Sequence, residues 1–267
     1  MAVERIECAA DPRVAAYRGL REGDLMRARG LFVAEGRLIV RRVLEDARYR
    51  VHSLLVNEAA RQDLDALIAA RRDVPVFVAD AGTLAEIAGY DVHRGCLALV
   101  HRPAEIAPAA LIASVPSLVV LEAVSNADNV GGVFRNAAAF GAGGVLLSPS
   151  CCDPLYRKAI RTSMGGTLRV PFARAAAWPD AIAQLAAAGF VTVALTPREP
   201  SDSLEVFAAR PRAARIALIV GTEGAGLSAA AEQAADYRVR IPIAAGIDSL
   251  NLAVATGIAL YELRTRK

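Results

Sequence analysis

Residues 215–228 read RIALIVGTEGAGLS, an apolar run that passes directly into a glycine-rich turn. A second apolar run, SLVVLEAV, covers residues 117–124. Strands that are apolar throughout are typical of a parallel sheet covered on both faces, so the sequence predicts an α/β fold. Ligands of such sheets bind beyond the carboxyl ends of the strands. At those ends the chain has the loops that begin at Glu122, Ser148, Thr196 and Gly221.

Strand and helix patterns alternate along the rest of the chain. In the second half we predict strands at residues 118–124, 144–148, 168–172, 190–195, 215–220 and 237–241, and helices near 129–140, 154–162, 179–188, 228–235 and 248–265. Before them we predict helices over 35–46 and 57–70 and from Asp80, with strands at 52–56, 76–78 and 96–100. The proline-containing stretch 101–108 is the predicted linker, so we expect domains at 1–103 and 108–267.

The composition is that of a folded protein without a bilayer-spanning segment. Of the 267 residues, 54% are hydrophobic, which excludes disorder. The longest apolar runs fall far short of the roughly 20 residues that cross a bilayer. The amino-terminal MAVER has charges where a secretion signal needs apolar residues, so we expect a cytoplasmic protein. The cysteines form no CxxC and the histidines no HExxH, so we expect no metal. A net charge of +3 by itself gives little indication of a nucleic-acid partner.

The loop after the first apolar strand, EAVSNADNVGGVFRN, covers residues 122–136. Asn129 is the predicted N-cap of the next helix, and the glycines after it allow a ligand to approach the first turn. Arg135 then lies one turn inside the helix, near the same end of the sheet. A capped helix with a surface arginine is the alternative. The loop is not a GxGxxG dinucleotide site, and the chain has no GxxxxGK[ST] P-loop.

The second loop, VGTEGAGLS, covers residues 220–228 and places three glycines around Glu223. Glycines at this density supply positive φ values and exposed backbone donors, which suit a turn wrapped around a flat or polar ligand. The alternative is a tight strand-to-helix turn in which Ser228 is the N-cap, but that interpretation does not explain Glu223.

The third loop, RIPIAAGIDSLN, covers residues 240–251. Pro242 cannot donate to a sheet ladder, so we expect the strand to end there. Asp248 or Ser249 is the predicted cap of the final helix, with Asn251 in its first turn. Capping explains Ser249 but not why Leu250 and Asn251 stand beside it.

Together, N-x-x-N-V-G-x-x-x-R, then G-x-E-G-x-G-L, then I-P-(x)6-S-L-N resemble the motifs of the SpoU family of RNA ribose methyltransferases, within the SPOUT superfamily. The first hundred residues, with FVAEG at 32–36 and HRG at 93–95, are similar to the ribosomal-protein-like α/β RNA-binding domain that precedes the catalytic domain in many members. The resemblance covers nearly the whole chain.

This resemblance implies a carboxyl-terminal parallel sheet with a deep trefoil knot, which chains as a rule avoid. It also implies S-adenosylmethionine as the cofactor and a homodimer with its sites near the subunit interface. The family's donor-binding positions correspond here to Leu195, Thr196, Gly221, Gly226, Ile241 and Leu250.

The family assigns a central part to the arginine at position 135. Because a free guanidinium has a pKa above about 12, we expect Arg135 to orient the ribose or its phosphate by bidentate hydrogen bonds. Proton removal falls either to phosphate or to a partly desolvated Arg135. We expect Asn129 and Glu223 to hold Arg135 in place. Ser249 with Asn251 is expected to shape the donor pocket or to polarise the hydroxyl.

Between Asp153 and Asp180 the chain has five basic residues and no acidic one. Arg157 and Arg161 lie four apart on one helical face, and we predict that they and Lys158 contact RNA phosphates. A solvated basic face is the alternative.

The function implied is transfer of a methyl group from S-adenosylmethionine to a ribose 2′-hydroxyl of ribosomal or transfer RNA. One alternative is an RNA-binding or assembly protein that has the SPOUT fold without methyl transfer. Another is a doubly wound nucleotide-binding oxidoreductase, against which the missing GxGxxG counts. The acceptor also stays open, because some SPOUT relatives methylate a base nitrogen.

Overall fold

The computed structural model describes residues 3–18, 22–211, 213–247 and 249–264, without the side chains of residues 22–24 and 27. The chain divides into two compact units. The first contains Met1–Ala104 and Leu155–Gly165, and the second contains Glu105–Pro154 and Gly166–Lys267. In the described part of the chain, no helix is both long and apolar enough to span a membrane.

Strands and helices alternate in the first unit. Its elements up to residue 104 are β1 (Val3–Arg5), α1 (Glu22–Arg29), β2 (Leu31–Glu35), α2 (Arg37–Glu45), β3 (Val51–Val56), α3 (Glu58–Asp63), α4 (Asp65–Ala70), β4 (Val76–Val78), α5 (Ala81–Ala88) and β5 (Cys96–His101), with 3-10 turns at Pro12–Tyr17 and His93–Gly95. The strand order is β1-β4-β3-β5-β2. Among these described strands, β5 is antiparallel to both β2 and β3, and the other neighbouring pairs are parallel.

Side-chain caps and apolar stripes explain the helices of this unit. Asn57 and Asp80 cap α3 and α5 through bonds to backbone N–H groups, as predicted. In α2 the buried residues recur along one face, which packs onto the sheet. The predicted helix over 57–70 is wrong as a single element, because it is interrupted at Leu64, whose side chain is buried.

The remaining elements follow from residue 108 onwards. They are α6 (Pro108–Ser114), β6 (Ser117–Leu121), α7 (Ala127–Phe140), β7 (Gly144–Leu147), α8 (Arg157–Thr162), β8 (Phe172–Arg174), α9 (Asp180–Ala187), β9 (Val191–Leu195), β10 (Asp202–Ser203), α10 (Leu204–Ala208), β11 (Ile216–Val220), α11 (Ala229–Ala234), β12 (Tyr237–Arg240) and α12 (Leu252–Leu263). Of these, α8 groups with the first unit.

The second unit is built on a sheet of order β10-β12-β9-β11-β6-β7-β8. Every pair of neighbouring strands in it is parallel. The two apolar runs form β6 and β11, which pair with each other and are buried on both faces. The prediction of a parallel α/β sheet is thus confirmed.

One predicted strand is wrong. The strand expected at 168–172 is a 3-10 turn at Gly166–Leu168 followed by β8. Gly166 permits this turn because a Cβ there would lie 3.0 Å from the carbonyl oxygen of Phe134. The stretch 101–108 is not wholly irregular, since β5 extends to His101 and Pro108 opens α6, at the helix position where proline is favoured.

Candidate active site

A cavity of about 320 Å³ lies at the carboxyl edge of the second unit's sheet, beyond β9, β11 and β12. Its lining includes all six residues predicted to bind the cofactor, namely Leu195, Thr196, Gly221, Gly226, Ile241 and Leu250. Glu223, Ser249 and Asn251 line it as well. Residues from two of the three motif loops, together with the end of β9, therefore share one cavity.

The loop from Gly221 to Leu227, which we call the glycine turn, folds back on itself. Gly226 donates its backbone N–H to the carbonyl oxygen of Thr222 at 3.0 Å. A Cβ at position 221 would lie 2.2 Å from the carbonyl carbon of Gly226, so only glycine fits. Gly224 and Gly226 have φ values of 80° and 69°, which side chains disfavour. The turn therefore presents backbone groups to the cavity.

Arg198 connects the glycine turn to the loop after β9. Its guanidinium donates to the carbonyl oxygens of Ala225 and Leu227 at 2.6 and 2.8 Å. It also forms an ion pair of 3.1 Å with Glu232, a carboxylate that is only 8% exposed. The same carboxylate accepts the hydroxyl of Thr196 at 2.7 Å. These bonds fix two walls of the cavity relative to each other.

A second buried carboxylate, Glu122, supports the other end of the glycine turn. It follows β6 and accepts the backbone N–H of Ser228 at 2.9 Å and the indole N–H of Trp178 at 2.5 Å. Ser228 in turn caps α11, as the alternative interpretation of this loop predicted. Sequence reasoning placed Glu122 at a strand end but did not identify its partners.

Asn251 joins three elements around the cavity. Its Oδ1 accepts the backbone N–H groups of Ala253 and Val254, which makes it the N-cap of α12. Its Nδ2 donates to Glu223 Oε1 at 2.7 Å and to Asn129 Oδ1 at 3.2 Å. These bonds bring Asn129, Glu223 and Asn251 together, and they explain why Glu223 stands in the glycine turn.

Two predicted caps are wrong. The N-cap of α7 is Asn126, not Asn129, because the helix begins nearly one turn earlier than expected. Asn129 is thereby free to face Asn251, and its Nδ2 is buried without a hydrogen-bond partner among the described residues. The cap of α12 is Asn251 rather than Ser249, and Asp248 lies outside the described residues.

Close packing of α7 on α12 holds this network. Gly132 faces Ala253, and a Cβ on the glycine would lie 2.5 Å from the Ala253 methyl group. Asn136 donates to the carbonyl oxygen of Ala253 at 2.6 Å. The glycines of the first motif therefore admit a second helix, not only a ligand.

Arg135 stands apart from these bonds. Its side chain is exposed, and in the described part of the chain neither Asn129 nor Glu223 bonds to it. Both contact Asn251 instead, so the expected support of Arg135 by these two residues is not seen in the isolated chain.

The predicted RNA-contacting residues lie on α8, in the first unit. Arg157 forms an ion pair of 3.2 Å with the buried Glu35 and stacks 3.9 Å from the ring centroid of Tyr90. Lys158 and Arg161 are exposed. Of the other cations in that stretch, Arg174 donates to three backbone carbonyls at residues 148–151.

The part of the sequence that contains the three motif loops matches a known protein family. The SpoU rRNA Methylase family matches residues 116–261, a span that contains all three motifs. The chain belongs to this family. A relative from Mycobacterium bovis, described as an uncharacterized tRNA/rRNA methyltransferase, is 40% identical over 260 residues, which are 96% of this chain and 89% of that protein. A protein of the same description from Mycobacterium tuberculosis H37Rv shows the same identity and coverage.

Solved structures agree with this family membership. An AdoMet-bound rRNA methyltransferase from Sinorhizobium meliloti superposes with a TM-score of 0.81 at 27% identity, over 98% of this chain and 97% of that one. An RNA 2′-O ribose methyltransferase gives 0.79 at 26% identity, over 97% of both chains. The SpoU methyltransferase AviRb from Streptomyces viridochromogenes, in complex with AdoMet, gives 0.74 at 26%, over 95% and 97%. The family and the α/β fold predicted from the motifs are confirmed.

Proposed function

We propose that the protein transfers a methyl group from S-adenosylmethionine to a ribose 2′-hydroxyl of ribosomal or transfer RNA. Family membership and the relatives described as tRNA/rRNA methyltransferases support S-adenosylmethionine-dependent RNA methylation. The neighbour described as an RNA 2′-O ribose methyltransferase supports the ribose as acceptor. The observation that carries the proposal is the cavity in which the second and third motif loops meet, with Asn251 bonded to the first.

The cavity fits S-adenosylmethionine in size and chemistry. Its volume of about 320 Å³ lies in the range of small-molecule sites. Leu195, Ile241 and Leu250 offer apolar walls for the flat adenine, and the backbone of the glycine turn offers hydrogen bonds for its polar edges. When bound, the cofactor supplies an electrophilic methyl group on a sulfonium.

We assign Arg135 to the RNA. A guanidinium presents paired donors that match a phosphate or two ribose oxygens, and this one is exposed on the helix that also carries Asn129. Because a guanidinium offers hydrogen-bond donors and no acceptor, we assign Arg135 to orienting the ribose rather than to accepting the hydroxyl proton. This arrangement favours phosphate as the proton acceptor over Arg135.

Asn251 is assigned a positioning role. Both hydrogens of its amide and its Oδ1 are already bonded within the chain, so it has nothing left for a substrate hydroxyl. Asn129 offers a buried amide donor, and Glu223 offers a carboxylate at the cavity wall. Ser249, which is exposed at that wall, is assigned to the donor pocket.

Further features implied by the family resemblance stay proposals. They are the trefoil knot, RNA capture by residues 1–103 with methyl transfer by 108–267, RNA contacts by Arg157, Lys158 and Arg161, and a cytoplasmic location.

A homodimer is also proposed. Val254, Ile258 and Tyr261 are 51%, 37% and 49% exposed and recur on one face of α12, where a second copy would cover them. Sedimentation equilibrium tests this, and a monomer at micromolar concentration contradicts it.

The decisive experiment is methyl transfer from labelled S-adenosylmethionine to total RNA from cells that lack the protein. We expect label in RNA and, after alkaline hydrolysis, a resistant dinucleotide at the modified ribose. Label in an alkali-sensitive nucleotide indicates base methylation instead. Absence of label, with S-adenosylmethionine bound or not, favours the RNA-binding or assembly protein.

A further inference from the structure

One end of the first unit's sheet carries a cluster of arginines and histidines. β2 and β3 begin at this end and β5 finishes there, so that Leu31 pairs with His101 and Val51 with Val100. We call the cluster of Arg29, Arg50, His52 and His101 the histidine end. The FVAEG and HRG segments meet at the opposite end, where Glu35 accepts the backbone N–H of His93. We call that the motif end.

His52 is placed by a β-bulge. The pairing of β3 with β5 shifts between Val51 and Ser53, so that His52 is the extra residue and its side chain is exposed. Bulges re-aim a side chain and are over-represented next to functional sites.

Buried hydroxyls orient the His52 ring. Its Nδ1 lies 2.9 Å from Ser53 Oγ, which lies 2.8 Å from the hydroxyl of Tyr17. Ser53 and Tyr17 are 1% exposed. A hydroxyl both donates and accepts, so this chain of bonds satisfies His52 whether or not the ring is charged. With Nδ1 committed, Nε2 is the nitrogen left for a ligand.

The other groups of the histidine end are two guanidiniums and a second imidazole, which becomes cationic when it takes up a proton. The rings of His52 and His101 lie 5.7 Å apart, and Arg50 Nη2 lies 3.0 Å from His101 Nε2. Partial burial, Arg29 and Arg50 lower the pKa of His52, and partial burial, Arg50 and His52 lower that of His101. Within the described residues, no carboxylate forms an ion pair with Arg29 or Arg50.

At and near the motif end, arginines and carboxylates are interspersed. Three of them pair with carboxylates: Arg37 with Asp63, Arg61 with Glu58 and Asp65, and Arg157 with Glu35. A groove there is lined by Glu7, Glu58 and Asp80 as well as Arg5. Among the described side chains, an anion therefore meets arginines without an ion-pair partner at the histidine end, and carboxylates beside the arginines at the motif end.

We propose that the histidine end is a binding site for the phosphates of the RNA substrate. The inference rests on the proposed function and adds to it the surface of the first unit that holds the RNA backbone. Two guanidiniums and two imidazoles supply donors for phosphate oxygens. A phosphate placed among them also offsets the positive charge of Arg29 and Arg50, so its binding raises the affinity of the imidazoles for a proton.

The three histidines of the chain, His52, His93 and His101, provide a direct test by NMR of the full-length protein. On titration with a short RNA hairpin, we expect the imidazole signals of His52 and His101 to move and their pKa values to rise. His93, at the motif end, is the internal reference and should move less than either, because carboxylates surround that end and Arg157 beside it is already paired with Glu35. Movement of His93 without the other two overturns the proposal.

Charge removal gives the second test. We expect Arg29→Gln/Arg50→Gln to weaken hairpin binding at least about fivefold and to flatten the slope of log K against log salt by about 1 to 2. Arg37→Gln/Arg61→Gln removes the same formal charge from the motif end and should bind like wild type. An equal loss in both variants, or wild-type affinity in the first, overturns the proposal.

Cofactor binding and methyl transfer separate this inference from the proposed function. If the wild-type protein methylates RNA while the signals of His52 and His101 do not move, the proposed phosphate site at the histidine end is wrong and the proposed function stands. If the wild-type protein neither binds nor methylates RNA, the proposed function itself fails.

Discussion

On the cofactor side of the candidate site, the glycine turn is held by Arg198, Glu122 and Asn251, each with bonds of about 3 Å or less. On the side assigned to RNA, Arg135 is exposed and unbonded to its expected partners. We therefore expect the proposed donor pocket to be formed before the cofactor binds, and the proposed RNA side to be completed by the substrate or by a second subunit. Such preorganisation lowers the ordering cost of cofactor binding.

The largest effect is expected from Arg135→Ala. If Arg135 acts only on RNA, methyl transfer should fall about 100-fold or more, while S-adenosylmethionine binding by calorimetry stays at the wild-type value. Arg135→Lys keeps the charge without the paired donors and should recover only part of the rate. A wild-type rate in Arg135→Ala would show that Arg135 does not take part in methyl transfer, and the proposed difference between the cofactor side and the RNA side would then be wrong.

Gly221→Ala tests the cofactor side. The new methyl group would collide with the backbone of Gly226, so we expect S-adenosylmethionine affinity to fall about tenfold or more and stability by about 1–3 kcal/mol. Gly189→Ala is the control, because Gly189 has open space around it and is not part of the cavity lining, so its positive φ costs stability without a change in cofactor affinity. Equal affinity in the two variants would show that the tight fold of the turn does not matter for binding.

Asn251 lies where the two sides meet. Asn251→Ala should lower the free energy of unfolding by about 1 kcal/mol through loss of the α12 cap, and should lower kcat about tenfold. Asn251→Ser keeps a capping hydroxyl and removes the amide donor. It should regain stability but not kcat, as measured by chemical denaturation and initial rates. If kcat recovers as well, Asn251 matters only as a cap.

The smallest effect is expected from Arg198→Gln. Since Arg198 is half exposed and acts on the cavity through the glycine turn and Glu232, KM for S-adenosylmethionine should rise about threefold with kcat unchanged. Arg210→Gln is a suitable control, because Arg210 pairs with Asp202 at the surface away from the cavity. A drop in kcat without a change in KM would contradict a purely supporting role.

The elements of the second unit were easier to predict from the sequence than those of the first. Continuous apolar strands and glycine-rich turns are strong local signals, and they predicted β6, β11 and the cofactor-side residues of the cavity. β1, β2 and α1 were not predicted, because they are short or polar and their strands pair with residues distant in sequence.

Within the site, residue identities were easier to predict than bonds. Asn129, Glu223 and Asn251 were singled out, but their mutual contacts join positions up to 122 residues apart. Arg198 and Glu232 were missed because an ion pair between separate elements leaves no periodic pattern in the sequence. A one-turn error in the start of α7 was enough to misassign Asn129 as a cap.

Residues 155–165 leave the second unit, join the first and return, so the chain crosses between units after residues 104, 154 and 165. The first unit therefore cannot be transferred to another protein as one continuous segment. A fragment ending at residue 104 keeps the buried Glu35 carboxylate but loses Arg157, and an unpaired buried charge is costly. A chimera that joins the first unit to another catalytic unit must include residues 155–165 as well. Insertions or deletions next to residue 155 or 165 fall where the chain passes from one unit to the other.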